Sequence, residues 1–204
     1  MRMSQNKSQF VAIASIAAEL SAVMEVAKEI SLAAANAKAI AFRAGEKAKG
    51  FQPITDFINE LAKETIELVN NINEHALKLY RLTVKEHRVT EACERFDDTV
   101  SLAKGAVYAE SLNAALQRVR QRNLDCHREF GAHVGELLAQ LADVMHPARA
   151  ARVIAANSRI EASQAGEYLQ SLQAVAESVD HAAQIISDKV NKCRSALSVI
   201  NIDH

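Results

Sequence analysis

The sequence predicts an all-α fold, an antiparallel up-down-up-down four-helix bundle or coiled coil built from two tandem helical hairpins. Three observations predict it. Alanine occurs 37 times in 204 residues, while Gly and Pro together occur eight times; short strands with frequent turns would need far more punctuation. Apolar residues recur in a 3-4 alternation sustained over several heptads, the seam of a left-handed supercoil. The chain also repeats itself. A gapless shift of 121 residues aligns 13–70 with 134–191, with 16 of 58 positions identical, which reads as an internal duplication.

The first helix follows Ile13, Ile16, Leu20, Val23, Ala27, Ile30, Ala34, Ala37, Ala41 and Ala44, all apolar. Gly45 just past its end suits a left-handed helix stop, and Gly45–Gly50 is the expected turn. A second seam steps through Phe51, Ile54, Ile58, Leu61, Thr65, Leu68, Ile72, His75, Leu79 and Leu82. The connection over residues 89–128 is too periodic for a loop, since Val89, Cys93, Phe96, Val100, Ala103 and Val107 continue the pattern. Helices two and three are therefore expected to run on, turn near Lys104-Gly105 and project beyond helices one and four. The third helix carries the shifted seam: Val134, Leu137, Leu141, Val144, Ala148, Ala151, Ala155, Ser158, Ala162 and Ala165. Pro147 replaces Val26 of the first repeat, so this helix kinks or restarts there. A second turn at Gly166–Ser171 leads into the fourth helix. The expected organisation is one bundle over residues 8–203: repeat one at about 8–88, the helical connection at 89–128, repeat two at about 129–203. Both repeat turns should lie at one end.

Composition narrows the function. Lys and Arg total 24 against 25 Asp and Glu, which offers no bulk attraction for nucleic acid. Cys93, Cys126 and Cys193 form neither a C-x-x-C pair nor an even framework, so a reducing, cytoplasmic compartment is expected. The longest apolar run near the N-terminus, Phe10 to Ala18, is stopped by Glu19 and is too short for a bilayer core needing about 20 residues, so no membrane insertion is expected. No Gly-rich phosphate loop, G-x-S-x-G or paired Glu-x-x-His motif is present. Enzyme activity, a metal site and a cofactor are not expected. Arg118, Arg120, Arg122 and Arg128 read as a solvated helix face, and His75 as a hydrogen-bonded, partly buried seam residue.

The first turn carries Asn36-Ala37-Lys38-Ala39-Ile40-Ala41-Phe42-Arg43-Ala44-Gly45-Glu46-Lys47-Ala48-Lys49-Gly50-Phe51. It resembles the cytoplasmic hairpin tip of methyl-accepting chemotaxis proteins, whose pattern runs L-N-x-x-x-E-A-A-R-A-G-E-x-G-R-G-F-x-V-V-A-x-E-V-R-x-L-A. Asn36, Arg43, Ala44, Gly45, Glu46, Gly50, Phe51, Leu61 and Ala62 match it. The second repeat keeps Asn157, Glu161, Ala162, Ala165, Gly166 and Glu167. Ile40 stands where the family has Glu, Pro53 where it has Val, and Gln164 where it has Arg. No Glu/Gln doublet exists, so adaptational methylation is not expected.

The resemblance implies a duplicated, soluble, single-chain imitation of the receptor's dimeric four-helix tip, acting in signal transduction. The implied partner-binding tip is Asn36, Arg43, Gly45, Glu46, Phe51, Asn157, Glu161, Gly166 and Glu167. Implied partners are a chemotaxis histidine kinase, a coupling protein or chemoreceptors, with a homo-oligomer through the bundle or tip as a further option. The same polar residues would also serve to cap and solvate the bundle end. Two alternatives stand beside this: a helical-bundle sensor or carrier of a small ligand or cofactor, and a purely structural, self-associating bundle.

Overall fold

The computed structural model describes residues 2–107 and 109–202, with side-chain surroundings for 9–107, 110–198 and 200. Five helices follow one another: α1 (Arg2–Ala44), α2 (Phe51–Leu102), α3 (Asn113–Asp143), α4 (Met145–Ala162) and α5 (Leu169–Ile202). No strand occurs among the described residues. α3 and α4 form one rod with a break at Val144, so the architecture is a bundle of four helical rods. α1 lies between α2 and α5, α2 also packs on α3 and α4, and α5 packs on α4.

The break follows from Pro147, the third residue of α4. Proline has no N–H to return to the preceding turn, so the helix restarts where first-turn donors are free anyway. Val144 nevertheless stays fully buried. The distal connection turns where glycine supplies a positive φ, at Gly105 (φ 92°). α2 and α3 extend to this turn, held together by Thr90 donating to Asn123 (3.0 Å) and Arg120 donating to Asp97 (2.6 Å). The helix ends at Leu102, so Val107 does not continue the seam as expected; it is 90% exposed.

The core confirms the duplication position by position. Ile13, Ile16, Leu20, Val23, Ala27, Ile30, Ala34, Ala37 and Ala41 are all buried, as are their shifted counterparts Val134 through Ala162. The second seam needs a correction. Phe51, Ile58, Thr65, Ile72, Leu79 and Leu82 are buried as expected, but the chain also buries Thr55, Ala62, Val69, Ala76 and Thr83. Ile54, Leu61, Leu68 and His75 sit one residue away on the half-buried flank. The step is thus four-three rather than three-four. Polarity hid this register, because Thr55, Thr65 and Thr83 return their hydroxyl protons to carbonyls of their own helix (Gln52, Leu61 and Leu79; 2.7, 2.8 and 3.0 Å). A hydroxyl satisfied in this way can enter an apolar core. His75 keeps its expected role, half-buried with Nδ1 2.6 Å from Gln140 Oε1.

The apolar start of α1 differs from its sequence reading. Ending the run at the first charge, Glu19, gave a short segment, yet the stretch Gln9–Ala48 holds a window of mean hydropathy 1.8 with at most two charged residues. By length and composition it is the one helix among the described residues able to cross a membrane, and 28% of that window is buried. Ile13, Ile16, Leu20, Val23 and Ala27 are the face it gives to the core.

Candidate functional site: the paired turns

Both repeat turns stop their helices in the same way. Gly45 and Gly166 each adopt φ 58°, a conformation that costs a side-chain-bearing residue roughly 1–2 kcal/mol. A short 3-10 segment follows each, Gly45–Ala48 and Gly166–Tyr168. The second turn is offset from its expected position. α4 ends at Ala162 and the chain tightens through i→i−3 bonds, Gln164 N–H to Glu161 O (3.1 Å) and Ala165 N–H to Ala162 O (3.0 Å). α5 then starts at Leu169, whereas its counterpart α2 starts at Phe51, equivalent to Leu172.

The two turns share one core. Ala37, Ala41, Ala48 and Phe51 of the first hairpin pack with Ala162, Ala165 and Leu172 of the second. Phe51 and its counterpart Leu172 are both fully enclosed. Phe51 is therefore the filler that holds the turns together rather than a surface group. Lys47 reaches Glu167 across the end of the bundle (4.0 Å). Glu161 lies against Gly50, and a Cβ at residue 50 would collide with its carboxylate. The Gly50 φ is −67°, so backbone conformation does not call for glycine here, and the Glu161 carboxylate, the far end of a flexible side chain, would have to swing aside for a larger residue.

The surface around that core carries the other sequence-predicted residues. Asn36, Arg43, Glu46, Asn157 and Glu167 are exposed, and Glu161 is half-buried. Lys49 pairs with Glu46 at 3.2 Å, an exposed contact worth little by itself. Sequence reasoning missed two features here. Phe42 is 79% exposed beside Arg43; a large apolar residue where the family pattern has Ala was the available signal. Along the flanks, Leu32 and Val153 occupy equivalent repeat positions and are exposed at 64% and 62%.

Contacts between the helices of each hairpin also occupy equivalent positions with different chemistry. Ser31 donates to Asn59 (2.7 Å) in the first. In the second, Arg152 and Arg159 donate to Asp180 (3.3 and 2.7 Å). The Arg159 hydrogen bond holds the Asp180 carboxyl below the ordinary Asp value, helped by Arg152 and opposed by burial. Elsewhere, all three cysteines are buried thiols; desolvation raises Cys193 to about 11 and pushes Cys126 upward, the opposite of an activated nucleophile. His133 Nδ1 lies 2.9 Å from the Glu129 backbone carbonyl, while the Glu129 carboxylate accepts from Lys85 (2.6 Å). No group of three or more His, Cys, Asp or Glu able to hold a metal ion occurs among the described residues.

What this end of the molecule can do is present a fixed polar surface with exposed aromatic rings at Phe42 and Phe57, supported by a rigid alanine core. No family model matches the chain, and no curated protein or solved structure is significantly similar to it.

Proposed function

We propose that the chain is a signal-transduction interaction protein that docks partners through its paired-turn end, in the manner of the chemoreceptor tips its first turn resembles. The observation that carries this reading is the meeting of two Ala-Gly-Glu turns across one shared core. Their side chains Asn36, Arg43, Glu46, Asn157 and Glu167 are left to solvent. A rigid helix end with mixed charges sets partner choice and encounter rate more than raw affinity. Exposed Phe42, Leu32 and Val153 add apolar area on which a partner or a second copy can anchor. The partners this reading names are a chemotaxis histidine kinase, its coupling protein or chemoreceptors. Pull-down with purified kinase and coupling protein tests it. Capture by the wild type should weaken at least tenfold in the double variant Glu46→Ala/Glu167→Ala, and equal capture by both would remove the tip from the mechanism.

One observation favours a second reading, a carrier of a small apolar ligand. Near the opposite end, α1 and α2 enclose a cleft of about 450 Å³ lined by Phe10, Ala14, Ala17, Asn73, Leu77 and Tyr80, among others. That volume lies within the usual range for small-molecule sites, and its one amide suits a neutral ligand. Native mass spectrometry of freshly purified protein separates the readings: a stoichiometric adduct lost in Ala14→Leu supports the carrier, and a bare chain mass opposes it.

A further inference from the structure

The two repeats treat the same place in the hairpin differently. In the first, the α1–α2 cleft of about 450 Å³ runs from Phe10 and Tyr80 at one end to Ala17 and Asn73 at the other, with Ala14 and Ala76 between them. The shift of 121 residues carries Ala17 to Leu138 and Ala76 to Leu197. Leu197 is fully buried, and Leu138 packs against the same core. Where the second repeat has two leucines, the first has two methyl groups. The end wall changes in the opposite sense, because Phe10 and Tyr80 stand where the second repeat has Gly131 and Asn201. Unfilled apolar space costs packing contacts, and the second repeat shows that leucine fits at both hollowed positions.

The lining dictates what such a slot takes. Phe10 and Tyr80 meet edge to face, centroids 5.6 Å apart and planes at 63°. Phe10 is half-buried and Tyr80 is 46% exposed, so ring surface is left for a third aromatic group, whose contact adds to what buried area alone supplies. Two turns of α2 separate Tyr80 from Asn73, about 10 Å along the axis at about 1.5 Å per residue. Asn73 is half-buried, and its side chain makes no hydrogen bond among the described residues. A primary amide offers both donors and an acceptor. No charged residue lines the cleft, and Asn73 takes the place of Arg194 in the second repeat. An ionised ligand would lose water here and meet no countercharge.

Resting on the carrier reading, we propose that the cleft takes an uncharged aromatic molecule about 10 Å long. Its ring lies against Phe10 and Tyr80, and a neutral carbonyl or amide at its far end hydrogen-bonds to Asn73. A saturated chain of the same length fills the methyl-lined middle equally well but gains nothing from the ring pair. An anion of the same shape gains the ring contact and loses its hydration.

The test titrates the full chain with 2-naphthamide, its anionic counterpart 2-naphthoate, and aliphatic decanamide. The chain has no Trp, so naphthyl emission excited beyond the tyrosine band is free of protein background; calorimetry reads decanamide. One 2-naphthamide should bind, with the other two at least tenfold weaker. Asn73→Ala should weaken naphthamide about tenfold and leave 2-methylnaphthalene, which lacks the amide, unchanged. Ala17→Leu installs the second repeat's residue at an exposed position, so it should fold normally and abolish binding. Decanamide or naphthoate bound as tightly as naphthamide overturns the proposed class and leaves the carrier reading standing. Naphthamide binding unaltered in Ala17→Leu overturns the site. If no probe binds, the class is overturned, and the carrier reading falls with it only where native mass spectrometry also shows a bare chain.

Discussion

The two halves of the bundle are built from differently sized parts. Toward the chain ends the core is Ile13, Ile16, Leu20, Phe130, Leu137 and Leu141; toward the paired turns it is Ala34, Ala37, Ala41, Ala155 and Ala162, all essentially inaccessible to solvent. Apolar burial scales with area, at about 25 cal/mol per Å². The large-residue half therefore supplies most of the cohesion, and the alanine half supplies close backbone approach with little of it. A docking surface benefits from this division. The helices at the turns are held at short separation by methyl groups, and their outward faces are left to Asn, Arg and Glu. Under the proposed docking, stability and recognition would be set in different places along the same rods.

Substitutions that remove or add volume should expose the contrast, and Phe130→Ala should do so most strongly. It deletes a fully buried ring from the large-residue half and should cost about 3–5 kcal/mol in denaturant unfolding. Ala37→Leu makes the complementary change. It forces a side chain between fully buried methyl groups, should cost about 1–3 kcal/mol, and should splay the turns enough to weaken partner capture even where the fold survives. Gly166→Ala tests the turn alone: at φ 58° a loss of about 1–2 kcal/mol is expected in thermal melts, with no change in the distal amides. Smallest of all, Glu167→Gln removes the exposed Lys47 contact and should change stability by no more than about 0.5 kcal/mol. A larger effect would mean that the tip surface is part of the stabilising core. Acid acts on the second hairpin by a separate route. The depressed Asp180 carboxyl stabilises the fold at neutral pH, and that contribution fades as pH falls through its folded value. Asp180→Asn should flatten the acid limb of the unfolding profile.

The helical class, the duplication, the first turn and the distal turn were legible because each is written in spacing; the second turn was expected at Gly166–Ser171, whereas α4 ends at Ala162 and α5 starts at Leu169. Burial of Ile13 through Ala41 and of their counterparts follows from a 3-4 alternation whose one polar member is Ser158. The second seam was misread because polarity stood in for position. Thr55 and Thr83 look like surface residues until their hydroxyls are given a partner one turn back, so the apolar flank at Ile54, Leu61 and Leu68 looked like the seam. Glu86, buried on α2, was missed for the same reason: a charge at a seam position is the sign of a buried titrating group, but it reads as an interruption of the pattern. The candidate site was legible as a sequence motif and not as a shape. The motif places Gly45 and Gly166 correctly, yet it put Phe51 among the partner-binding residues, although the second seam begins at Phe51 and so predicts the inward turn that the structure shows; Phe42 lies on neither seam and turns out.

One consequence follows from the Lys47–Glu167 contact. The equivalent of Lys47 in the second repeat is Tyr168, which has no cation to offer and packs half-buried against the shared core. A tip made by two identical subunits must show each partner the same view after half a turn. Here the covalent join has let the views drift apart. The end of this molecule has a left and a right, so under the proposed docking a partner that reads the difference would seat in one orientation and at a stoichiometry of one.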